Sequence, residues 1–194
     1  AMEYSDLADG RGLQMLLYLF ALQREGQRLF GPEELVSAGV LYMPARSGVV
    51  SGERDMTDEQ VRAARQSLLR RRGLLLDDEQ VLRAMEDTGG GSYRYLPIAA
   101  SGALRREYLA SREQLERLEK HLERVLGETA EEFVRGDIDA DPYWHTPEKN
   151  ACRYCDYAAA CHFEEGCGDV RRRRAITAAE FWEQLEKGGD GHGH

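Results

Sequence analysis

Cys152-Arg153-Tyr154-Cys155-Asp156-Tyr157-Ala158-Ala159-Ala160-Cys161 sets three thiols at C-x2-C-x5-C spacing. A loop followed by one helical turn brings such sulfurs toward a single point. Thiolate bound to metal is the usual reason for that crowding in a cell interior. Cys167 and the imidazoles of His145 and His162 lie close by in sequence. Tyr143, Trp144, Tyr154, Tyr157 and Phe163 flank the segment. Such an aromatic shell would shield a site from water and help set its redox properties. The plain alternative is four ordinary buried cysteines. It is disfavoured, because all 4 cysteines of the chain fall between Cys152 and Cys167. Zinc takes four tetrahedral ligands, which Cys152, Cys155, Cys161 and Cys167 would supply. An iron–sulfur cluster also takes four thiolates. The spacing alone leaves both metals open.

The surrounding chain has 194 residues, enough for one good core or two small ones. Its net charge of -9 requires any nucleic acid to bind a local basic patch and not the whole surface. The apolar run Leu16–Leu22 is too short to span a membrane. Glu3, Asp6 and Asp9 precede it where a signal peptide needs positive charge, so a cytoplasmic location is expected. In the cytosol the cysteines read as metal or redox ligands and not as disulfides. The abrupt opening, Ala1-Met2-Glu3, reads as part of something larger.

Leu13, Leu16, Leu17, Phe20 and Ala21 form a core-facing stripe that predicts a helix over Leu13–Gln23, with Gly26 as its stop. The run Ala38–Ala45 predicts a strand buried on both faces. Thr57-Asp58-Glu59-Gln60 is a capping box opening a helix to about Arg72, with Gly73 as its end and Leu74–Leu76 as a short buried link. Asp77 and Gln80 predict a further helix to about Glu86. Tyr93–Ala99 and Ala103–Tyr108 predict a hairpin around Ser101–Gly102. Ser111 and Gln114 cap the longest helix, Arg112–Arg135, with Leu115, Leu118, Leu122, Val125, Leu126, Phe133 and Val134 along one face. Thr177 and Glu180 cap a last helix, and Gly188–His194 is expected to be disordered.

Two further motifs carry chemistry. Gln14-x3-Tyr18 places an amide and a phenol one helical turn apart, which alone is an ordinary helix edge. Arg171-Arg172-Arg173-Arg174 is a candidate phosphate contact, or a solvated charge run before a helix. Arg70-Arg71-Arg72 has a simpler reading, positive charge against a helix C-terminus. No G-x-S-x-G, P-loop or H-E-x-x-H is present, and no apolar strand ends in a D/E-x-K triplet.

Taken together, Gly12-Leu13-Gln14-Met15-Leu16-Leu17-Tyr18-Leu19, Ala38-Gly39-Val40-Leu41-Tyr42, Arg72-Gly73-Leu74-Leu75-Leu76-Asp77, Asp141-Pro142-Tyr143 and the cysteine segment through Phe163 resemble the C-terminal end of the AddB subunit of bacterial AddAB-type helicase–nucleases. The resemblance covers nearly the whole chain. It implies a RecB-like PD-(D/E)XK nuclease domain that cuts DNA with a divalent ion such as Mg²⁺. It assigns Gln14 and Tyr18 to the helix beside that ion and the DNA. It assigns Cys152, Cys155 and Cys161 to a 4Fe-4S cluster whose fourth ligand lies upstream, with nothing in the family pattern for Cys167. An AddA-like helicase–nuclease subunit would be the partner, and no membrane is involved. The family's acidic and lysine motifs precede the Q-x3-Y helix, so this chain should begin after them and should not cut DNA by itself.

The fold expected is α+β and mostly helical, a truncated PD-(D/E)XK core with a cysteine-rich cluster-binding tail. Residues 1–110 would hold the partial nuclease core. Residues 111–187 would hold the long helix and the cluster segment, and 188–194 a disordered tail. The rival expectation is a self-contained, zinc-stabilised binding module with no catalytic activity.

Overall fold

A computed structural model describes residues 2–31, 35–45, 48–52, 55–97, 103–164, 166, 168–172 and 174–189. Among them the elements run α1 Tyr4–Ala8, α2 Gln14–Phe30, β1 Gly39–Tyr42, α3 Asp58–Leu68, β2 Arg72–Leu76, α4 Glu79–Met85, a 3-10 turn Arg106–Tyr108, β3 Leu109–Ala110, α5 Arg112–Arg135, β4 Tyr143–Thr146, β5 Lys149–Asn150, α6 Ala158–Cys161, β6 Arg171–Arg172 and α7 Ala178–Gly189. The result is α+β and mostly helical, as the sequence predicts.

The first sheet has the order β1-β2-β3, antiparallel between β1 and β2 and parallel between β2 and β3. Its register pairs Gly39 with Leu75, Leu41 with Gly73 and Tyr42 with Arg72. The Leu74–Leu76 run is therefore its central strand and not a link, and all three leucines are buried. Pairing on both edges gives their backbone groups partners while both faces stay dry, which a link cannot do. For the same reason α3 stops at Leu68, and Gly73 lies inside β2 instead of ending a helix. The edge strand β1 differs from expectation too. It is shorter than Ala38–Ala45, only Val40 is buried within it, and Met43 just beyond is 67% exposed.

Helices close a core on one face of this sheet, and Leu75, Leu82 and Leu96 form a smaller cluster on the other. Leu16 and Phe20 of α2, Leu115, Leu118 and Leu122 of α5, and Phe181 and Trp182 of α7 pack with Leu7, Val40, Leu74 and Leu76. Helix α2 runs through Gly26 to Phe30, beyond the predicted stop. A Cβ on Gly26 would stand 2.0 Å from Leu35 Cδ1, so this glycine makes room for the returning chain and does not break the helix. Gly31, at φ 112°, is where the helix ends. Arg24 bridges α2 to Glu119 at 2.8 Å and to Glu123 on α5.

Capping chemistry is as the sequence implies at Thr57/Gln60, Ser111/Gln114 and Thr177/Glu180. At α4 the cap is Asp78, not Asp77: its Oδ1 accepts from the Gln80 and Val81 amides at 2.8 and 3.1 Å. Of the predicted hairpin, residues 98–102 lie outside the described residues. Its arms meet through the Arg105 amide donating to Pro97 O at 3.0 Å, and Leu104 stands in an isolated bridge; among the described residues the pairing extends no further. On the first arm Glu86 takes the Arg94, Tyr95 and Leu96 amides at 2.7, 3.1 and 3.1 Å. Helix α5 has the predicted bounds. Its last turns extend past the core, leaving Phe133 and Val134 exposed and not on a packed face. Gly188 and Gly189 belong to α7, and the rest of the predicted tail lies outside the described residues.

Candidate metal centre and nuclease helix

The cysteine segment is folded onto a second small sheet, of order β5-β4-β6. Trp144 on β4 is buried, with its ring centroid 6.3 Å from that of Phe163. Asn150 sets the turn that carries the first thiol. Its Oδ1 accepts from the Cys152 and Arg153 amides at 3.0 and 2.9 Å, an Asx turn that the sequence reading missed. The Cys155 amide then donates to Cys152 O at 3.2 Å, and Cys161 closes the one-turn helix α6. An asparagine two residues before a cysteine was the available signal.

Cys152, Cys155 and Cys161 line one open cavity of about 640 Å³. Cys152 is half-buried and the other two are exposed. The Cys152 thiol is held above its ordinary pKa, first by burial and then by Cys155 and Cys161, so the three sulfurs are within electrostatic reach of one another. They share a cavity and not a point. Among the described residues no three His, Cys, Asp or Glu side chains are gathered closely enough to hold a metal ion. Cys152 and Cys155 lie on a turn and Cys161 at the far end of the one-turn helix. Tyr154 and Tyr157 are 85% and 77% exposed, so the aromatic shield reduces to Tyr143, Trp144 and Phe163. His145 and His162 are exposed, and Cys167 lies outside the described residues. In donor chemistry the three thiols fit a thiophilic metal or cluster.

The far wall of this cavity is the α1–α2 loop, Asp9, Gly10 and Arg11. The Arg11 guanidinium lies 3.6 Å above the Tyr143 ring, and Tyr143 Oη donates to Asp9 Oδ2 at 3.4 Å. A Cβ on Gly10 would stand 2.7 Å from Val125 Cγ1, so the loop is pressed against α5. Helix α2 starts directly after it. There Gln14 Nε2 donates to Tyr18 Oη at 3.0 Å, on the exposed face opposite Leu16 and Phe20. Without a carboxylate beside them, a neutral amide and a phenol are weak ligands for a divalent ion.

The arginine run is divided by its surroundings. Arg171 donates from Nη2 to Asp141 Oδ1 at 2.8 Å and from Nε to Asp141 O at 3.1 Å. Asp141 holds the Arg171 pKa up, with Glu132 and Asp137 adding smaller effects. Arg172 and Arg174 are exposed, and Arg173 lies outside the described residues.

The chain thus sets a small mixed sheet, a helix bearing Gln14 and Tyr18, and a thiol-lined cavity beside the start of that helix. The model of the PD-(D/E)XK nuclease superfamily matches residues 2–162, and the chain belongs to that superfamily. Within it, the chain is similar to the B subunit of the ATP-dependent helicase/deoxyribonuclease of three bacteria. Identity is 34% over 190 residues for Desulforudis audaxviator, 31% over 188 for Clostridium acetobutylicum and 31% over 193 for Symbiobacterium thermophilum. These alignments cover 95%, 94% and 98% of this chain but 16% of each relative's length. The match supports a nuclease-subunit segment over a self-contained zinc module. No helix among the described residues is long and apolar enough to cross a membrane.

Proposed function

We propose that this chain is the nuclease-end segment of a cytoplasmic, ATP-dependent helicase–deoxyribonuclease subunit that processes DNA ends together with an AddA-like partner subunit. In that reading residues 1–110 supply the Q-x3-Y helix and its sheet, and residues 111–187 supply the cluster-binding tail, a division of roles within one core. Gln14 and Tyr18 face DNA: the amide donates to a phosphate oxygen, and the phenol stacks on a base or donates its hydroxyl. The Mg²⁺ ligands and the D/E-x-K lysine belong to the longer protein and not to these residues, so no hydrolytic step is assigned to this chain. Cys152, Cys155 and Cys161 would hold three corners of a 4Fe-4S cluster, with the fourth thiolate from upstream. When bound, the cluster supplies a covalent tie between distant parts of the chain. Arg172 and Arg174 remain candidate phosphate contacts beside it.

The observation that carries this reading is the wall shared by the thiol cavity and the α1–α2 loop. It sets the cysteine tail against the residues that lead into Gln14.

The test uses the longer protein. Gln14→Ala and Tyr18→Phe should slow Mg²⁺-dependent cleavage of linear DNA by about 10- to 100-fold, the scale of a positioning loss. Iron content should stay unchanged. Wild-type cleavage rates in both variants would reject the role. The 194-residue chain alone should not cleave DNA. Mg²⁺-dependent degradation by the purified chain would reject its reading as an incomplete site.

A further inference from the structure

Residues 60–76 hold five arginines and no acidic residue, in a chain of net charge -9. Arg62, Arg65, Arg70, Arg71 and Arg72 make no salt bridge among the described residues, although most arginines elsewhere in the fold have a carboxylate partner. Arg70 and Arg72 line a cavity of about 380 Å³ with Tyr42 and Ser67. Arg70 Nε is buried there without a hydrogen-bond partner. A buried, unpartnered guanidinium donor costs free energy until an acceptor arrives. The Arg71 amide donates to Tyr95 O at 2.7 Å, which brings Arg94, also without an ion pair among the described residues, to the edge of the same cluster.

The arginines also lie at the right end of the fold. Leu35 packs at Gly26, and the Ser37 amide donates to Gln23 Oε1 at 2.8 Å, so the chain returns antiparallel to α2. A strand advances about 3.3 Å per residue and a helix about 1.5 Å. By that ratio Tyr42 stands level with the first turn of α2. Arg72 is the rung partner of Tyr42. The cluster therefore sits at the end of the sheet where Gln14 and Tyr18 begin their helix.

We propose that the α3–β2 arginine cluster is a binding surface for the phosphodiester backbone of DNA, leading a strand toward Gln14 and Tyr18. The direction of the strand rests on the nuclease reading above; the binding itself does not. Planar guanidinium forks suit phosphate oxygens, and the unpaired state of five neighbours is explained by a polyanion that neutralises them together.

The experiment measures binding of the 194-residue chain to a fluorescein-labelled oligothymidylate of about twenty nucleotides by anisotropy, in EDTA so that cleavage plays no part. Arg65→Gln/Arg70→Gln/Arg72→Gln should raise Kd at least ~10-fold and lower the slope of log K against log salt by ~2, three contacts at ~0.7 each. The Arg→Lys triple keeps the charge and should restore most of the binding and slope, which guards against a folding artefact. Arg83→Gln/Arg117→Gln, at two arginines already paired with Glu79 and Glu186, should leave both unchanged. The proposal is overturned if the Gln triple binds like wild type, if the Arg83/Arg117 pair carries the loss, if wild type does not bind, or if millimolar inorganic phosphate displaces the oligonucleotide. The last result would mark a free-anion site. Binding lost in the triple while Gln14→Ala leaves cleavage intact would reject the nuclease-helix reading and keep this one.

Discussion

Replacing Gly73 with alanine distinguishes the structure from the helix-end reading of this residue. A Cβ there would stand 1.8 Å from Val40 O, 2.8 Å from Val40 C and 3.1 Å from Leu41 Cα. All three are backbone atoms of the facing strand and have no rotamer by which to withdraw. Ordinary contact begins near 3.4 Å, so β1 must retreat by more than an ångström from β2. That separation disrupts ladder hydrogen bonds at the Leu41–Gly73 rung, worth about 1 kcal/mol each. It also disturbs packing around the buried Val40 and Leu74. Two bonds and the accompanying strain give ~3–5 kcal/mol, a large part of a typical stability of ~5–15 kcal/mol. For a chain of this size the melting temperature should fall by roughly 10 °C. The assay is thermal and urea unfolding followed by far-UV circular dichroism. Gly127→Ala is the internal control: it lies within α5 with nothing within 4 Å of its Cβ, and should raise stability by up to about 1 kcal/mol. A Gly73→Ala loss of ~1 kcal/mol, as at a simple helix end, would refute the β1–β2 register.

The aromatic joint of α1, α5 and α7 gives a second prediction. Phe181 is fully buried, with ring centroids 5.2 Å from Tyr4 and 5.1 Å from Trp182, so Phe181→Ala should cost ~3–5 kcal/mol by urea titration. A cost below ~1 kcal/mol would mean that α7 does not dock as described. His121 gives a pH dependence. Its Nε2 donates to Leu7 O at 3.0 Å and its Nδ1 accepts from Arg124 at 3.1 Å; burial, first, holds its pKa below the usual 6.5. Its contribution is present above pH 6.5 and lost as pH falls through the lowered folded value, because the unfolded chain takes the proton first. The acid limb of stability against pH should therefore flatten in His121→Gln, and an unchanged limb would contradict the assignment. The edge strand gives the last of this group. Among the described residues β1 is paired on one side only, so the isolated chain should self-associate with rising concentration in sedimentation velocity, and a concentration-independent monomer would count against an open edge.

Local chemistry was the legible part of the sequence. The Thr57, Ser111 and Thr177 caps, the α5 boundaries and the Leu16/Phe20 stripe depend on side chains within four residues of one another, and each stands where the pattern put it. Errors arose where a distant partner decides. Gly73 and Leu74–Leu76 look like a helix end and a link until β1 and β3 arrive on either side. Gly26 looks like a stop until Leu35 occupies its missing Cβ. At the site, the C-x2-C-x5-C spacing led to the expectation of thiols at a single point; they share a cavity instead, and neither that separation nor the arrival of Arg11 over Tyr143 was legible. The Arg70–Arg72 run invited a helix-dipole reading. That explanation still serves Arg70, which follows the Leu69 cap of α3, but not Arg72, which opens β2.

The cluster assignment is the central claim, and iron measured in the anaerobically purified longer protein tests it most directly. Wild type should carry about four iron atoms with acid-labile sulfide and broad visible absorption. Cys152→Ala, Cys155→Ala and Cys161→Ala should each lose that iron and colour, while Cys167→Ala keeps them. Colourless wild-type protein with stoichiometric zinc, or loss of iron in Cys167→Ala with retention in Cys161→Ala, would contradict the account.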